Sequence, residues 1–317
     1  MKKAVKGCSL LAGIVCIVGV LLYLGLRPGK TLFIPPSGQP MPRHVEYKME
    51  ASLAGLPARA LTYEIRDANV TKQDVVALAE KLGMKGDVTY DPKSGIYTLK
   101  DGEKWLEVWK SGMWDYYDHR VWKNIDLQKK IPSDEEAVQK AREALHRLGI
   151  NTEGFNVRVV AQTTGAFETE RVVNKDVFFM RVINGIPVYG VSRVIVSVGH
   201  RGEIEAICKY YHEIEPGRTV KLKSIEEAFQ EVKENRASSS IHPDAKTAVI
   251  TKVTMGYWED PGPSEKPVGI QPVWVFEGFS IVDGEKHTFD AFVPAGEGVR
   301  ITDVPNPELV PILVEFR

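Results

Sequence analysis

Histidine and cysteine, the side chains that most often bind metals or act as nucleophiles, are few and scattered along this chain. No two of its seven histidines lie four residues apart, so no helix turns a pair of imidazoles toward one metal ion. The densest polar run, residues 115–119, reads Asp-Tyr-Tyr-Asp-His. Consecutive residues of a strand point to opposite faces, so these side chains do not converge on one cation. We therefore predict no metal site.

The candidate nucleophiles have no activating partner in the sequence pattern. Cys208 shares one face of an alternating strand with Ile204 and Ala206, so we predict that it is a buried, unreactive thiol. No Gly-x-Ser-x-Gly elbow occurs, and Gly296-Glu297-Gly298 does not lead into a capped helix that could hold a phosphate. These patterns predict a protein without catalytic residues and without a cofactor, that is, not an enzyme.

Tryptophan is concentrated in one part of the chain. Four of the six tryptophans fall within eighteen residues, next to two tyrosines: Trp105, Trp109, Trp114, Tyr116, Tyr117 and Trp122. In an alternating strand, Trp105 and Trp109 share one face, and a small sheet packs only its other face on its own helix. Two interpretations stay open. Either a neighbouring module covers these aromatics, or they form a partner-binding surface with Trp105, Trp109, Trp114 and Tyr116 as its residues, because Trp and Tyr dominate protein interfaces.

The charge balance combines two different regions. The chain carries 41 Lys and Arg against 42 Asp and Glu. Five of the basic residues and none of the acidic ones lie in the first 30 positions, which leaves 36 basic and 42 acidic residues on 31–317. This balance argues against a nucleic-acid-binding protein, which needs a positive surplus. Two of the three cysteines lie in the first 16 residues, so the remainder cannot form an internal disulfide.

The N-terminal segment has the pattern of a membrane span. Residues 7–26 contain no charged side chain and would reach about 30 Å as a helix, the thickness of a hydrocarbon core. Lysines at positions 2, 3 and 6 precede the segment, so we predict a single-pass protein of the cell membrane with a cytoplasmic stub at 1–6 and an extracytoplasmic remainder. A cleaved signal peptide and a lipid-modified Cys16 are the alternatives. Four prolines between positions 35 and 42 predict an extended linker over 27–44.

Three amphipathic helices are predicted by the same start signal. Thr71, Ser133 and Ser224 each precede an acidic residue by three positions, which is the pattern of a capping box. Strand-like runs separated by turn residues follow each helix. We therefore predict an α+β fold in which a transmembrane helix is followed by tandem modules, each with one helix packed on its own antiparallel sheet. The predicted bounds of the modules are 45–125, 131–215 and 220–300, with a C-terminal tail at 301–317.

The second predicted module carries the most specific pattern. Residues 181–190 read Arg-Val-Ile-Asn-Gly-Ile-Pro-Val-Tyr-Gly, and an alternating strand, a turn around Gly202 and a further strand follow. This pattern resembles the core of the FTP and PepSY domains, which occur in thermolysin-type propeptides and in exported bacterial proteins. The third module is similar to the end of a PepSY domain, where a strand closes with Phe289-Asp290-Ala291. The resemblance implies a PepSY- or cystatin-like fold over about residues 133–295.

A membrane anchor followed by such modules resembles the YycH/YycI-type accessory proteins, which restrain a sensor kinase at bacterial membranes. The resemblance implies a non-catalytic extracytoplasmic protein that restrains a membrane sensor or an envelope protease through protein–protein contact. The chain lacks a His-Glu-x-x-His motif, so contact with a protease would be made in trans. The alternative is an exported, wall-associated module that binds a peptide or a glycan through the aromatic residues between Trp105 and Trp122.

Overall fold

The computed structural model describes residues 45–123, 131–163, 172–259 and 269–297. Within these ranges the chain forms seventeen strands and four helices. The strands make up two large sheets, one with eight strands and one with nine. The described part of the protein is therefore mostly β, and its helices pack on the sheets.

The helices are short, and three of them begin with the predicted caps. They are α1 (Lys72–Lys81), α2 (His119–Lys123), α3 (Asp134–Leu148) and α4 (Ile225–Lys233). The hydroxyls of Thr71, Ser133 and Ser224 accept a hydrogen bond from the N–H of the third residue of α1, α3 and α4, and the acidic side chain there accepts one from the cap N–H. Gly149 ends α3 in the left-handed conformation, with φ of 79°, which glycine adopts without strain. The three predicted capping boxes are confirmed.

The eight-stranded sheet, called the first sheet below, is antiparallel throughout. In spatial order its strands are β3 (Val88–Asp91), β4 (Ile96–Asp101), β5 (Lys104–Trp109), β6 (Trp114–Asp118), β12 (Ile204–Tyr210), β11 (Arg193–Val198), β8 (Val172–Met180) and β7 (Asn156–Thr163). The helices α1 and α3 both pack on one face, called the inner face, where Val75 and Leu145 join a core with Leu106, Val177 and Phe179. The opposite face is called the outer face.

The nine-stranded sheet, called the second sheet, collects strands from distant parts of the chain. They are β1 (Glu46–Met49), β2 (Arg59–Ile65), β9 (Val182–Ile183), β10 (Ile186–Gly190), β13 (Ile214–Lys221), β14 (Ser238–Ser239), β15 (Thr247–Glu259), β16 (Ile270–Val282) and β17 (Glu285–Pro294). The long strand β15 is its centre, because it pairs antiparallel with β16 and parallel with β1 and β10. Helix α4 packs on this sheet, where Ala228 and Val232 lie in one core with Trp274 and Phe276.

The predicted fold, in which tandem modules each place a helix on a sheet of their own, is wrong. Both α1 and α3 lie on the first sheet, because β6 pairs with β12 through Trp114–Tyr117 and Ala206–Lys209. Strands β1 and β2 precede α1 in the sequence but belong to the second sheet, which also carries α4. Long-range strand pairing therefore decides the architecture, because it joins strands of the first and second predicted modules into one sheet.

No helix in the four described ranges is long and apolar enough to cross a membrane. Residues 7–26, for which the sequence predicts a transmembrane helix, lie outside the described residues, as do the predicted stub at 1–6 and the tail at 301–317. The described structure begins at Val45, directly after the predicted linker over 27–44.

Three connections after α3 carry the chain between the two sheets. They join β8 to β9, β10 to β11, and β12 to β13. Between the first two crossings, β9 and β10 form a hairpin whose turn residues Asn184 and Gly185 have φ angles of 50° and 80°, as the Asn-Gly dipeptide predicts. Arg181, Ser192 and His212 occupy the three crossings.

Glu259, the last residue of β15, holds all three crossing residues around one carboxylate that is 0% exposed. The Ser192 hydroxyl donates a hydrogen bond to Oε2. The backbone N–H of His212 donates to Oε1 at 2.8 Å, and Nδ1 of His212 lies 2.8 Å from the same oxygen. Nη1 of Arg181 lies 3.6 Å from Oε2 and donates to the backbone carbonyl of His212 at 2.9 Å. The two sheets are thus joined by a buried polar network.

Gly190 allows the backbones to approach closely beside this network. Its φ is 85°, and a Cβ at this position would lie 2.1 Å from the backbone oxygen of Glu259. A side chain would therefore push β10 away from β15 and displace the carboxylate from the crossing residues.

We expect Glu259→Gln to lower the free energy of unfolding by about 3–5 kcal/mol, because it leaves the Arg181 charge buried and uncompensated. Combining it with Arg181→Met removes that charge as well, so the double variant should lose less than the sum of the two single variants. Urea unfolding of the four proteins measures this coupling.

The exposed ion pair between Lys221 and Glu297 supplies the control, since its side chains are 66% and 61% exposed. We expect Glu297→Gln to cost less than about 1 kcal/mol. Equal costs for Glu259→Gln and Glu297→Gln would contradict the role assigned to the buried network.

Candidate functional site

The four predicted partner-binding residues lie on two faces of the first sheet. Trp105 and Trp109 of β5 are partly buried on the outer face, while Leu106 between them is buried under the helices. Trp114 and Tyr116 of β6 are each 5% exposed and belong to the inner-face core. The structure brings Trp105 and Trp109 together on one surface and separates them from Trp114 and Tyr116.

The register between β5 and β6 explains this division. Antiparallel partners share a face, and Trp105 pairs with Tyr117 while Val108 pairs with Trp114. Tyr117 therefore joins Trp105 on the outer face, and Trp114 joins Val108 on the inner face. Alternation in the sequence gives two faces to each strand, but the turn at 110–113 decides which face of β6 is the inner one. Trp122 lies apart from both strands, in α2.

A polar cluster centred on Asp115 lies on the outer face beside Trp105. Asp115 pairs with Cys208 of β12 and is 4% exposed. The hydroxyl of Tyr117 lies 3.8 Å from Sγ of Cys208, and the Tyr210 side chain is hydrogen-bonded to the Asp115 carboxyl. Burial raises the pKa of Asp115 from 3.8 to about 6, and the hydrogen bonds from Tyr210 and Cys208 oppose this rise.

The predicted burial of Cys208 is confirmed, since the residue is 8% exposed. Burial, with the nearby Asp115 carboxyl, raises the pKa of this thiol to about 12. Burial also raises the pKa values of the Tyr117 and Tyr210 hydroxyls. At neutral pH these groups are therefore protonated, so they act as hydrogen-bonding groups and not as nucleophiles.

Three buried side-chain atoms around this cluster have no hydrogen-bond partner in the part of the chain that the structure describes. They are Nε1 of Trp105, Oδ1 of Asp115 and Nε of Arg193. Arg193 pairs with Tyr210 in the sheet, and its guanidinium lies 5.8 Å from the centre of that ring. An unsatisfied buried polar group costs about 1–3 kcal/mol. These three atoms are closed off from solvent, so this cost falls on the stability of the fold.

Ser192, His212 and Glu259 are the residue types of a hydrolase triad, but they are not arranged as one. In a triad the hydroxyl bonds to the imidazole, which takes its proton. Here the hydroxyl of Ser192 and the imidazole of His212 both bond to the carboxylate of Glu259. All three residues are also buried, at 0%, 4% and 0% exposed respectively. This geometry suits the joining of strands and does not suit nucleophilic attack on a substrate.

Sequence reasoning missed this network around Glu259. One signal was available, since a carboxylate that directly follows Tyr257 and Trp258 in an apolar strand needs a partner when it is buried. Its partners His212 and Ser192, however, lie 47 and 67 residues away in the sequence. No local spacing rule links residues at such separations.

No protein-family model matches this chain, and no curated protein matches its sequence. Among solved structures, the chain is similar to an uncharacterized protein from Eubacterium rectale ATCC 33656, with 12% identity and a TM-score of 0.48 over 81% of this chain and 91% of the other. It is also similar to the Bacillus megaterium YpeB C-terminal domain, with 13% identity and a TM-score of 0.36 over 74% of this chain and 96% of that domain.

Both TM-scores are below 0.5, and both identities are low. The likenesses therefore assign neither a family nor a function to this chain.

We expect the stability of the protein to depend on pH through Asp115. Because the pKa of Asp115 is raised to about 6, the folded state binds this proton more tightly than the unfolded chain does. The contribution of Asp115 to the free energy of unfolding therefore falls as the pH rises from about 4 to about 6, by about 3 kcal/mol for a two-unit shift. In Asp115→Asn this contribution is lost, so the free energy of unfolding should fall less steeply between pH 4 and pH 6. Urea unfolding at a series of pH values measures this slope.

Asp87→Asn provides the control, because Asp87 is an exposed carboxylate before β3 of the same sheet. We expect this variant to keep the wild-type pH dependence. A wild-type slope in Asp115→Asn would show that the buried carboxyl does not titrate in this range.

Proposed function

We propose that this chain is a non-catalytic binding protein of the cell envelope that restrains a membrane sensor or an envelope protease through protein–protein contact. One observation carries the proposal. Trp105 and Trp109 lie on the outer face of the first sheet with Glu107 between them, each partly exposed, and neither belongs to the core that α1 and α3 cover. Large aromatic side chains in such a position are typical of the central residues of protein interfaces.

The surroundings of Trp105 suit a protein partner. The ammonium group of Lys100 lies 3.9 Å from the centre of the Trp105 ring, so the surface presents a positive charge together with an aromatic plane. A protein surface can supply apolar area for the indole and acidic groups for the lysine, which matches this combination.

The location and the kind of partner are supported by the sequence. The apolar segment 7–26 and the lysines before it favour a protein held at the membrane with its described part outside the cytoplasm. The resemblance of residues 133–295 to PepSY and FTP domains, and of the whole arrangement to the YycH/YycI-type proteins, favours a sensor kinase or a protease as partner. The balanced charge favours a protein over a nucleic acid.

We expect Trp105→Ala combined with Trp109→Ala to abolish capture of the partner in native cells. A central interface tryptophan contributes about 2 kcal/mol or more, so the double substitution should weaken binding roughly 100-fold or more. The measurement is photo-crosslinking from a reactive residue placed at Glu107, which lies between the two indoles on the same face. The captured envelope proteins are then identified and quantified.

Tyr90→Ala is the matched control, because Tyr90 is an aromatic residue of the same sheet, on β3, and is 39% exposed. This variant should capture as much partner as the wild type, and all variants should unfold at similar temperatures. Failure to capture a membrane sensor or a protease, or equal capture by the tryptophan variant, would refute the proposal. Quenching of tryptophan fluorescence by wall fragments or peptides, without a captured protein, would favour the ligand-binding alternative.

A further inference from the structure

Strand β7 forms a long, exposed edge of the first sheet. It pairs with β8 and with no other described strand, so the outer backbone edge of residues 156–162 has no partner among the described strands. Six of its eight residues are exposed and the other two are partly buried. Natural edge strands are usually blocked by lysine, proline, a bulge or a covering element. In β7 the register shifts only between Gln162 and Thr163, at its end.

The one charged side chain of β7 leaves this edge open. The guanidinium of Arg158 lies 5.2 Å from the centre of the Phe178 ring on the neighbouring strand β8, so it is turned toward the sheet. The backbone of residues 156–162 is therefore available to a further strand.

A groove of about 620 Å³ lies between this edge and helix α3. Val157 and Val159 of β7 line it from the sheet, and Val138 lines it from the helix. Val157 is 37% exposed, although its partner in the sheet, Phe179, is fully buried in the inner-face core. The core therefore ends before the edge of the sheet, and one more strand beside β7 would cover these valines.

The rim of the groove is acidic. Asp134, Glu135 and Glu143 of α3 line it, and all three are exposed. Lys175 pairs with Asp134 at 2.5 Å, so two glutamates stand against one arginine among the remaining charged residues of the groove. Among the described residues that line the groove, Arg142 is the one cation.

We propose that β7 receives an extended segment of a partner protein as an added strand, with apolar side chains in the groove and Lys or Arg side chains against the acidic rim. In strand addition the backbone hydrogen bonds provide affinity, and pockets for alternate side chains provide specificity. In this groove the valines favour apolar side chains of the added strand, and the glutamates favour basic ones. The site goes beyond the contact at Trp105, because β6, β12, β11 and β8 separate β5 from β7 in the sheet.

Charge complementarity favours this occupant over two others. The apolar C-terminal segment 309–317 carries one acidic and one basic residue, Glu315 and Arg317, so it offers no net positive charge to the rim, and Pro311 within it cannot donate to a strand ladder. A second copy of the chain, paired edge to edge, would bring two acidic rims together. A segment that alternates apolar and basic residues meets neither obstacle.

The test uses the full chain, kept in detergent because of its apolar residues 7–26, and a fluorescent nine-residue peptide of sequence KVTVKVTVK. A second peptide replaces each Lys with Glu. Two further peptides carry N-methyl groups, one on every Val and the other on every Lys and Thr, so that each blocks the backbone donors of one edge. Fluorescence anisotropy measures the dissociation constant of each peptide.

We expect the lysine peptide to bind at least 10-fold more tightly than the glutamate peptide, and one of the two methylated peptides to lose at least 10-fold in affinity. Val157→Lys, and Glu135→Lys combined with Glu143→Lys, should each weaken binding of the lysine peptide at least 10-fold. Val76→Lys and Glu80→Lys are the matched controls, because both residues are exposed on α1, and Val76 is 37% exposed, as Val157 is. These two variants should bind within about 2-fold of the wild type.

Each of four results would overturn the proposal. Equal affinity for the lysine and glutamate peptides would remove the role of the acidic rim, and undiminished binding of both methylated peptides would exclude strand addition. A gain of 10-fold or more on deleting 301–317 would identify the C-terminal segment as the occupant. Light scattering that shows a dimer in the wild type and a monomer in Val157→Lys would identify a second copy. None of these measurements depends on Trp105 or Trp109, so the outcome is independent of the proposed envelope partner.

Discussion

The arrangement of the two sheets depends on the buried carboxylate of Glu259. A carboxylate that is fully removed from water is tolerated only when hydrogen bonds and a positive charge replace its hydration. Arg181, Ser192 and His212 provide them, and each stands where the chain passes from one sheet to the other. One acceptor on the second sheet thus fixes all three crossings, and a shift of either sheet would leave a buried charge without partners.

Fixing the crossings leaves the first sheet with two unlike faces and one open edge. The helices α1 and α3 cover the inner face, which takes the continuous apolar core. The outer face holds the buried polar cluster around Asp115 and Cys208 next to the partly exposed indoles of Trp105 and Trp109. At the far end, β7 keeps an unpaired backbone edge beside an acidic groove. Both surfaces proposed for binding are therefore parts of the first sheet, while the second sheet carries Glu259.

Much of the local structure could be predicted from the sequence, because its signals act within a few residues. The capping boxes at Thr71, Ser133 and Ser224, the Asn184-Gly185 turn and the alternation around Trp105 all have such short-range causes. The grouping into modules was wrong because strand pairing is a long-range property. An alternating strand can pair with any strand of matching pattern, and here β6 pairs with β12 about ninety residues later.

The candidate site divides in the same way. The sequence pattern predicted that Trp105 and Trp109 share one face of a strand and that Cys208 is buried, since period-two alternation is a property of the strand itself. It could not place Trp114 and Tyr116 in the core. The register between β5 and β6, set by the turn at 110–113, puts these two residues on the inner face of the sheet. It could not find Glu259 and its partners, which meet only when both sheets have formed. By itself, then, the sequence determined where elements begin, where they turn and which residues share a face. The tertiary structure decided which faces became inner ones and which charges met, because those depend on free energies of burial and pairing between residues far apart in the chain.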